Sequence, residues 1–229
     1  MKDPLYDIDA HVAEIYEQVM TTTADLAMIR RCIGARRGLR ILEPFCGTGR
    51  LLIPLARDGH TVMGMDNAPA MLKRAAAKVA ALPEAIQARI TLSQTDVLQT
   101  TWPTGFDVVI MGGNCLYELT TPEEQAQVIA AAANALRPGG HLLVDNDHME
   151  GELNRTWYDP AVCDGVFPTG ECADGTRLAG RWRVIWYDAS RRLIRFERQI
   201  RITWPDGSVG ERTHIQQKHP VSAHEVAGW

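Results

Sequence analysis

The segment Arg40-Ile41-Leu42-Glu43-Pro44-Phe45-Cys46-Gly47-Thr48-Gly49-Arg50 holds the residues best placed to do chemistry. Its apolar start reads as a buried strand, its glycines as a tight turn, and the residues after Gly49 as a helix. Such a turn brings backbone N–H groups and a helix N-terminus close to a ligand. Glu43 alters the electrostatics of that place. A carboxylate beside the turn suits a ligand that carries positive charge, not phosphate alone. A dinucleotide fingerprint would need a third glycine for close helix–strand packing. Leu52 stands at that position instead.

Other polar residues recur at the ends of apolar runs. Asp66 closes Thr61–Met65, and Asp96-Val97 follows Ile90–Leu92. A carboxylate at a strand end can accept two hydrogen bonds from a diol, and such charge-assisted bonds are the stronger kind. Phe106–Met111 runs into Gly112-Gly113-Asn114-Cys115-Leu116-Tyr117, and His141–Val144 runs into Asp145-Asn146-Asp147-His148. Asp145, His148 and Tyr117 are candidate proton acceptors. Cys46 has no basic partner beside it in sequence and reads as a small packing residue.

The elements that must position these groups follow from apolar spacing. Residues 8–33 have helical periodicity, ended by Gly34 to Gly38. Strands are expected at 39–43, 61–65, 90–92, 106–111 and 141–144. Helices are expected after Gly49, from Pro69 to Leu82, and from Pro122 to Leu136. Thr121-Pro122-Glu123-Glu124 has the composition of a helix start. Continuous apolar strands alternating with helices indicate a parallel sheet covered on both faces. After it, residues 148–180 read as loop. The runs 181–188, 192–204 and 209–217 read as an antiparallel three-stranded meander. In the second run Ile194, Phe196, Ile200, Ile202 and Trp204 share one parity, giving one apolar and one wet face. Val221 to Val226 reads as the beginning of a helix.

In this order the features resemble class I S-adenosylmethionine-dependent methyltransferases over residues of about 10 to 150. Glu43 to Gly49 looks like the first motif of that family, with Phe45 where many members have Gly or Ala. The resemblance implies a Rossmann-like, doubly wound, mostly parallel sheet and S-adenosyl-L-methionine as methyl donor. That ligand carries the positive charges, an ammonium and a sulfonium, that Glu43 suits. By the same resemblance Asp66 binds the ribose hydroxyls, Asn67 and Met71 line the adenine, and Asp96-Val97 reads its amino group. Phe45, Cys46, Gly47, Gly49, Met111 and Gly112 complete the donor site. Leu136-Arg137-Pro138-Gly139-Gly140 matches the turn before strand five. Residues 1–38 would form an N-terminal helical lid, with Tyr16 (and Tyr6 near it) over the donor. Residues 39–148 would be the core, 149–219 a loop and antiparallel sheet capping the substrate, and 220–229 the start of a C-terminal helix; either that end is truncated or the meander supplies the closing strands. Glu43 contacts the ammonium or caps the loop; both readings stand.

The loop at 113–116 resembles the Gly-Asn-Ser segment of glycine N-methyltransferases and related small-molecule enzymes. This makes Asn114 a substrate-orienting candidate, the alternative being an asparagine that braces its loop. Those enzymes place an arginine just past strand five for a substrate carboxylate. Asp147 is the nearest match here, so an amine-bearing or polyhydroxylated acceptor is expected.

The chain of 229 residues is 45% hydrophobic with a net charge of −4, enough apolar material for a sizeable core and no global pull toward nucleic acid. No apolar run reaches membrane-span length. Five scattered cysteines without metal spacing indicate reduced, cytoplasmic thiols and no metal site. Arginines and tryptophans in the meander keep an RNA methyltransferase as an alternative. A non-catalytic donor-binding protein is the other. The expected partner is a small-molecule methyl acceptor, with a homodimer one way to cover an open sheet edge.

Overall fold

The computed structural model describes residues 10–147, 150 and 153–229. They fall into two compact units. One comprises Thr21–Leu116, Glu123–Asn146 and Trp229. The other comprises residues 10–20, Tyr117–Pro122 and the described part of Asp147–Gly228.

The first unit is built on a five-stranded parallel sheet ordered β3-β2-β1-β4-β5. The strands are β1 (Arg40–Glu43), β2 (Thr61–Asp66), β3 (Ile90–Gln94), β4 (Phe106–Met111) and β5 (Leu136–Val144). Every residue of β4 is buried, as a central strand covered on both faces requires. The order runs outward from β1 in one direction to β3 and in the other to β5. Right-handed crossovers therefore place helices on opposite faces and leave a switch point at the carboxyl ends of β1 and β4. The connecting helices are α3 (Leu52–Arg57), α4 (Pro69–Ala80), a short α5 (Glu84–Gln87) and α6 (Pro122–Ala135). Preceding them, α2 (Ala24–Ile33) buries Leu26, Ile29 and Ile33 in the same core as Ile41, Leu52, Leu55 and Val108.

Two boundaries differ from expectation. β3 continues to Gln94 because polar Ser93 and Gln94 still pair with Met65 and Asp66 of β2. β5 begins at Leu136, which pairs with Phe106 before a bulge. Pairing then resumes at His141 opposite Val108. The Pro-Gly-Gly segment is thus the bulge inside a strand edge, held by Arg137 on Asp107.

The second unit is an antiparallel sheet ordered β10-β9-β8-β6, with β7 also on β8. Its long strands are β8 (Arg177–Asp188), β9 (Leu193–Thr203) and β10 (Val209–Lys218). Ile194, Phe196, Ile200 and Ile202 are buried on one face of β9, as their parity requires. Residues 148–180 are not all loop: α7 (Arg155–Tyr158), β6 (Asp164–Gly165) and β7 (Thr169–Glu171) lie there. Short strands of this kind exist only through their pairing with β8, which no local pattern encodes. α1 (Ala10–Val19) buries Val12 and Ile15 against Cys172, Leu178 and Ile200. Segment 117–122 joins this unit through Lys218, whose Nζ donates to Glu118 at 3.0 Å, and through Gln217, which donates to the Thr120 carbonyl at 3.0 Å. α8 (Ala223–Gly228) closes the chain, with Arg192 paired to Glu225.

Trp182 packs edge-on against Phe196, but Trp186 lies largely in the open beneath the Arg195 guanidinium. Several arginines of this sheet are tied within it. Arg183 pairs with Glu197 at 3.0 Å, and Arg198 stacks over Phe167. Among the described residues no helix is long and apolar enough to cross a membrane.

Candidate active site

The turn after β1 is fixed by backbone conformations that only glycine adopts without strain. Gly47 and Gly49 have φ of 52° and 80°. The Gly49 N–H donates to the Cys46 carbonyl at 2.8 Å, and the Ile53 N–H to the Gly49 carbonyl at 3.1 Å, starting α3. Cys46 is buried, its N–H donating to the Met65 carbonyl at 2.9 Å, and burial pushes its thiol well up. It is therefore a packing group on β2.

Leu52 is accommodated by a substitution elsewhere. A Cβ on Gly64, in the middle of β2, would lie 2.5 Å from Leu52 Cδ1 and 2.7 Å from Cys46 Sγ. The close approach that a dinucleotide fold obtains from a third turn glycine is obtained here from a glycine in the adjacent strand. An isolated glycine within a strand pattern signals such an approach, and Gly64 stood in view in Thr-Val-Met-Gly-Met-Asp.

Arg50 pins α2 to the turn. Its guanidinium forms a bidentate pair with the Asp25 carboxylate and also donates to the Thr22 carbonyl at 3.0 Å. Sequence reading missed this clamp, since 25 residues separate its partners.

Glu43 is 5% exposed at the end of β1. Its Oε2 is buried without a hydrogen-bond partner. Burial pushes its carboxyl up to about 8, against the pull of Arg50 and with the repulsion of Asp66 and Asp25. A buried acid with one free oxygen is poised to ionise against an arriving cation.

Asp66 accepts the Gly47 N–H on Oδ2 at 2.7 Å and the Ala68 N–H on Oδ1 at 2.9 Å. Burial raises its carboxyl, and these bonds oppose the rise. Each oxygen retains lone-pair capacity for a second donor. The Asp66 carbonyl accepts the Thr95 N–H at 2.8 Å, which draws the next loop in. There Asp96 caps its own turn by accepting the Leu98 N–H at 2.9 Å. Val97 is buried, and its carbonyl accepts the Trp102 indole N–H at 3.0 Å. Met71 is buried with its methyl 3.6 Å from where a Gly47 Cβ would sit. Asn67 is exposed and Phe45 half-buried.

At the ends of β4 and β5 the chain is cross-linked. The Asp145 N–H donates to the Met111 carbonyl at 2.8 Å, and the Asn114 N–H donates to the Asp145 carbonyl at 3.1 Å. Met111 is fully buried. A side chain on Gly112 would strike Leu51 at 2.8 Å. Asn114 has φ of 63°, a left-handed conformation that asparagine tolerates better than most residues. The expected donor residues from Glu43 to Gly112, with Asn114 and Asp145, thus share the first unit.

Tyr16, Tyr117 and Asp147 belong to the second unit. Tyr16 is half-buried on α1. Tyr117 departs from its expected role as proton acceptor. Its hydroxyl donates to the Asp147 carbonyl, its ring lies edge-on to Trp157, and burial pushes its phenol up to about 12. At neutral pH it is a neutral donor holding the backbone, not a base. Asp147 is exposed. His148 and Tyr6 lie outside the described residues.

Residues 41–140 match a family described as a methyltransferase domain. The ubiquinone biosynthesis O-methyltransferase of Xylella fastidiosa strain 9a5c is 32% identical over 119 residues, 52% of this chain and 44% of that protein. The chain thus matches less than half the length of that curated relative. DesVI of Streptomyces venezuelae is 18% identical with a TM-score of 0.70, covering 96% of this chain and 86% of its own. The sugar N-methyltransferase KedS8 of a Streptoalloteichus species is 20% identical with a TM-score of 0.69, covering 98% and 82%. These two share the fold. The family match contains the glycine turn, Asp66 and the Pro-Gly-Gly bulge, so the likeness to a methyltransferase domain covers the parallel-sheet core of the chain.

Proposed function

We propose that the protein transfers a methyl group from S-adenosylmethionine to a nitrogen or oxygen of a small, amine-bearing or polyhydroxylated acceptor. The observation that carries this reading is Glu43, a buried carboxyl with an unpartnered oxygen beside a glycine turn. An ammonium would ionise the acid and pair with it, whereas an anionic ligand would hold it protonated.

When bound, S-adenosylmethionine supplies a methyl group on a sulfonium, already a good leaving group. The protein's work is then orientation and exclusion of water. Glu43 holds the ammonium, directly or through water, and Asp66 accepts the ribose diol. Met71, Asn67 and Asp96-Val97 receive the base, and Phe45 narrows the space beside the methionine end. Fixing two reactants at near-attack distance contributes about 7–11 kcal/mol to such a reaction. An amine acceptor must arrive neutral, and a hydroxyl must lose its proton as the bond forms. That proton passes to Asp145 or to His148, while Asn114 orients the acceptor. None of the five cysteines is in a disulfide among the described residues, which supports a reducing, cytoplasmic setting. The arginine pairings within the antiparallel-sheet unit favour a small acceptor over RNA.

The test is a metabolite-library screen with isotope-labelled S-adenosylmethionine, read by mass spectrometry alongside donor titration. Labelled amines or alcohols are expected. Preferred labelling of carboxylate-bearing amines or of RNA would overturn the acceptor class. Absence of donor binding would overturn the whole reading.

A further inference from the structure

Three carboxylate or amide side chains of the parallel-sheet unit have a buried polar atom without a hydrogen-bond partner: Glu43, Asp107 and Asn146. Asp107 is met by the Arg137 guanidinium, so its charge is compensated. Glu43 has its role in the proposed donor site. Asn146 is left, and both its Oδ1 and its Nδ2 are buried and unpartnered. A buried amide with neither function satisfied costs on the order of a few kcal/mol. Native structures keep such groups where a ligand or ordered water completes them.

The position of Asn146 indicates what that ligand is. It directly follows Asp145, whose N–H and carbonyl are tied to Met111 and Asn114, so its backbone is fixed at the carboxyl end of β5. Asp66 and the Asp96 loop lie on one side of β1, at the ends of β2 and β3. Asn146 lies on the other, with β4 between β1 and β5. At about 4.8 Å per strand, that is about 10 Å from the end of β1. The ribose and adenine assigned to Asp66 and Asp96 extend away from it.

We propose that Asn146 is an acceptor-recognition residue, whose amide reads a hydroxyl neighbouring the methylated nitrogen or oxygen. A hydroxyl donates and accepts, which matches an amide with one free acceptor and one free donor. A carboxylate could use only the donor, and an ammonium only the acceptor. The proposal rests on the methyl-transfer reading and specifies its substrate class: vicinal amino alcohols or diols, as amino sugars and polyols present them. Asn146 acts as a binding and positioning group and takes no proton.

The experiment compares wild type with Asn146→Leu and Asn146→Asp on paired probes: 2-aminocyclohexanol against cyclohexylamine, and cyclohexane-1,2-diol against cyclohexanol. D-glucosamine is added as a sugar probe. Labelled methyl transfer is measured, with titration of S-adenosyl-L-homocysteine and thermal melting on each variant. Wild type should prefer the hydroxyl-bearing member of each pair. In Asn146→Leu that preference should fall by about 10-fold to 100-fold in kcat/KM, with donor affinity within about 3-fold of wild type. Asn146→Asp, which keeps the acceptor oxygen, should retain part of the preference. Three results would overturn the inference. One is no preference in wild type, or no transfer to any hydroxyl-bearing probe. Another is a preference that survives Asn146→Leu. The third is a loss of donor affinity as large as the loss of rate, which would make Asn146 structural. Failure of the methyl-transfer reading looks different: wild type itself would not bind S-adenosyl-L-homocysteine.

Discussion

The parallel and antiparallel sheets differ in where their ion pairs and their buried acids and amides sit. In the parallel unit the informative polar groups are buried and incompletely satisfied: Glu43 with a free oxygen, Asn146 with a free amide, Asp66 with capacity left on both oxygens. In the antiparallel unit many charged groups are partly exposed and paired with one another, as in Arg183–Glu197 and Lys218–Glu118. Low dielectric makes an unpaired group costly and a ligand that pairs with it tightly held. Exposed pairs are screened and contribute little. Chemistry is therefore expected to respond to changes in the first unit and hardly at all to loss of the exposed ion pairs of the antiparallel sheet.

The sharpest way to break this contrast is Asp66→Ala. It removes the proposed ribose acceptor and the anchor of the Gly47 N–H together. Affinity for S-adenosylmethionine should fall at least about 100-fold by calorimetry, charge-assisted bonds being the strong kind.

Glu43→Gln comes next, because its effect has two signs. The Glu43 carboxyl is raised to about 8 by burial, above its ordinary value in the unfolded chain. The folded protein therefore holds an extra proton between about pH 4.5 and pH 8, and stability falls as pH rises through that window. The ligand-free melting temperatures of wild type and Glu43→Gln should converge near pH 5 and separate near pH 8, with the variant higher by a few degrees. Donor binding should move the other way, since the variant loses the carboxylate.

Gly64→Ala tests the fit of Leu52 under β2. A Cβ there meets Leu52 and Cys46 at distances no real side chain tolerates. A loss of about 1–3 kcal/mol is expected in urea denaturation. Leu52→Ala added to Gly64→Ala should recover part of it, and no recovery would place the strain elsewhere. The smallest effect belongs to the antiparallel sheet. Arg183→Ala should change stability by no more than about 0.5 kcal/mol and leave donor affinity untouched. A large loss of donor affinity would erase the distinction between the two units.

The same contrast explains what the sequence disclosed. The strands of the parallel sheet are continuous apolar runs ending in a single acid or glycine, so β1, β2 and β4 and the acids and glycines at their ends were readable. Alternation in β9 disclosed the face of the meander. β6, β7 and α7 were not readable, because two or three residues of strand acquire their state from long-range pairing with β8. The Arg50–Asp25 clamp and the unsatisfied amide of Asn146 were hidden for the same reason. Residue type shows that a side chain is polar, but only the fold shows whether a partner reaches it. Tyr117 makes the point in reverse, a candidate base whose hydroxyl is committed to a backbone carbonyl.

Glu43 is the group held to make this turn a site for a cationic donor. Its role is tested most directly by titrating S-adenosylmethionine into wild type and Glu43→Gln near pH 7, in two buffers of different ionisation enthalpy. Wild type is predicted to release a fraction of a proton on binding and to bind more tightly as pH rises toward 8. The variant is predicted to release none from this position and to bind at least about 10-fold more weakly. Equal affinity and equal proton release in the two proteins would contradict that role.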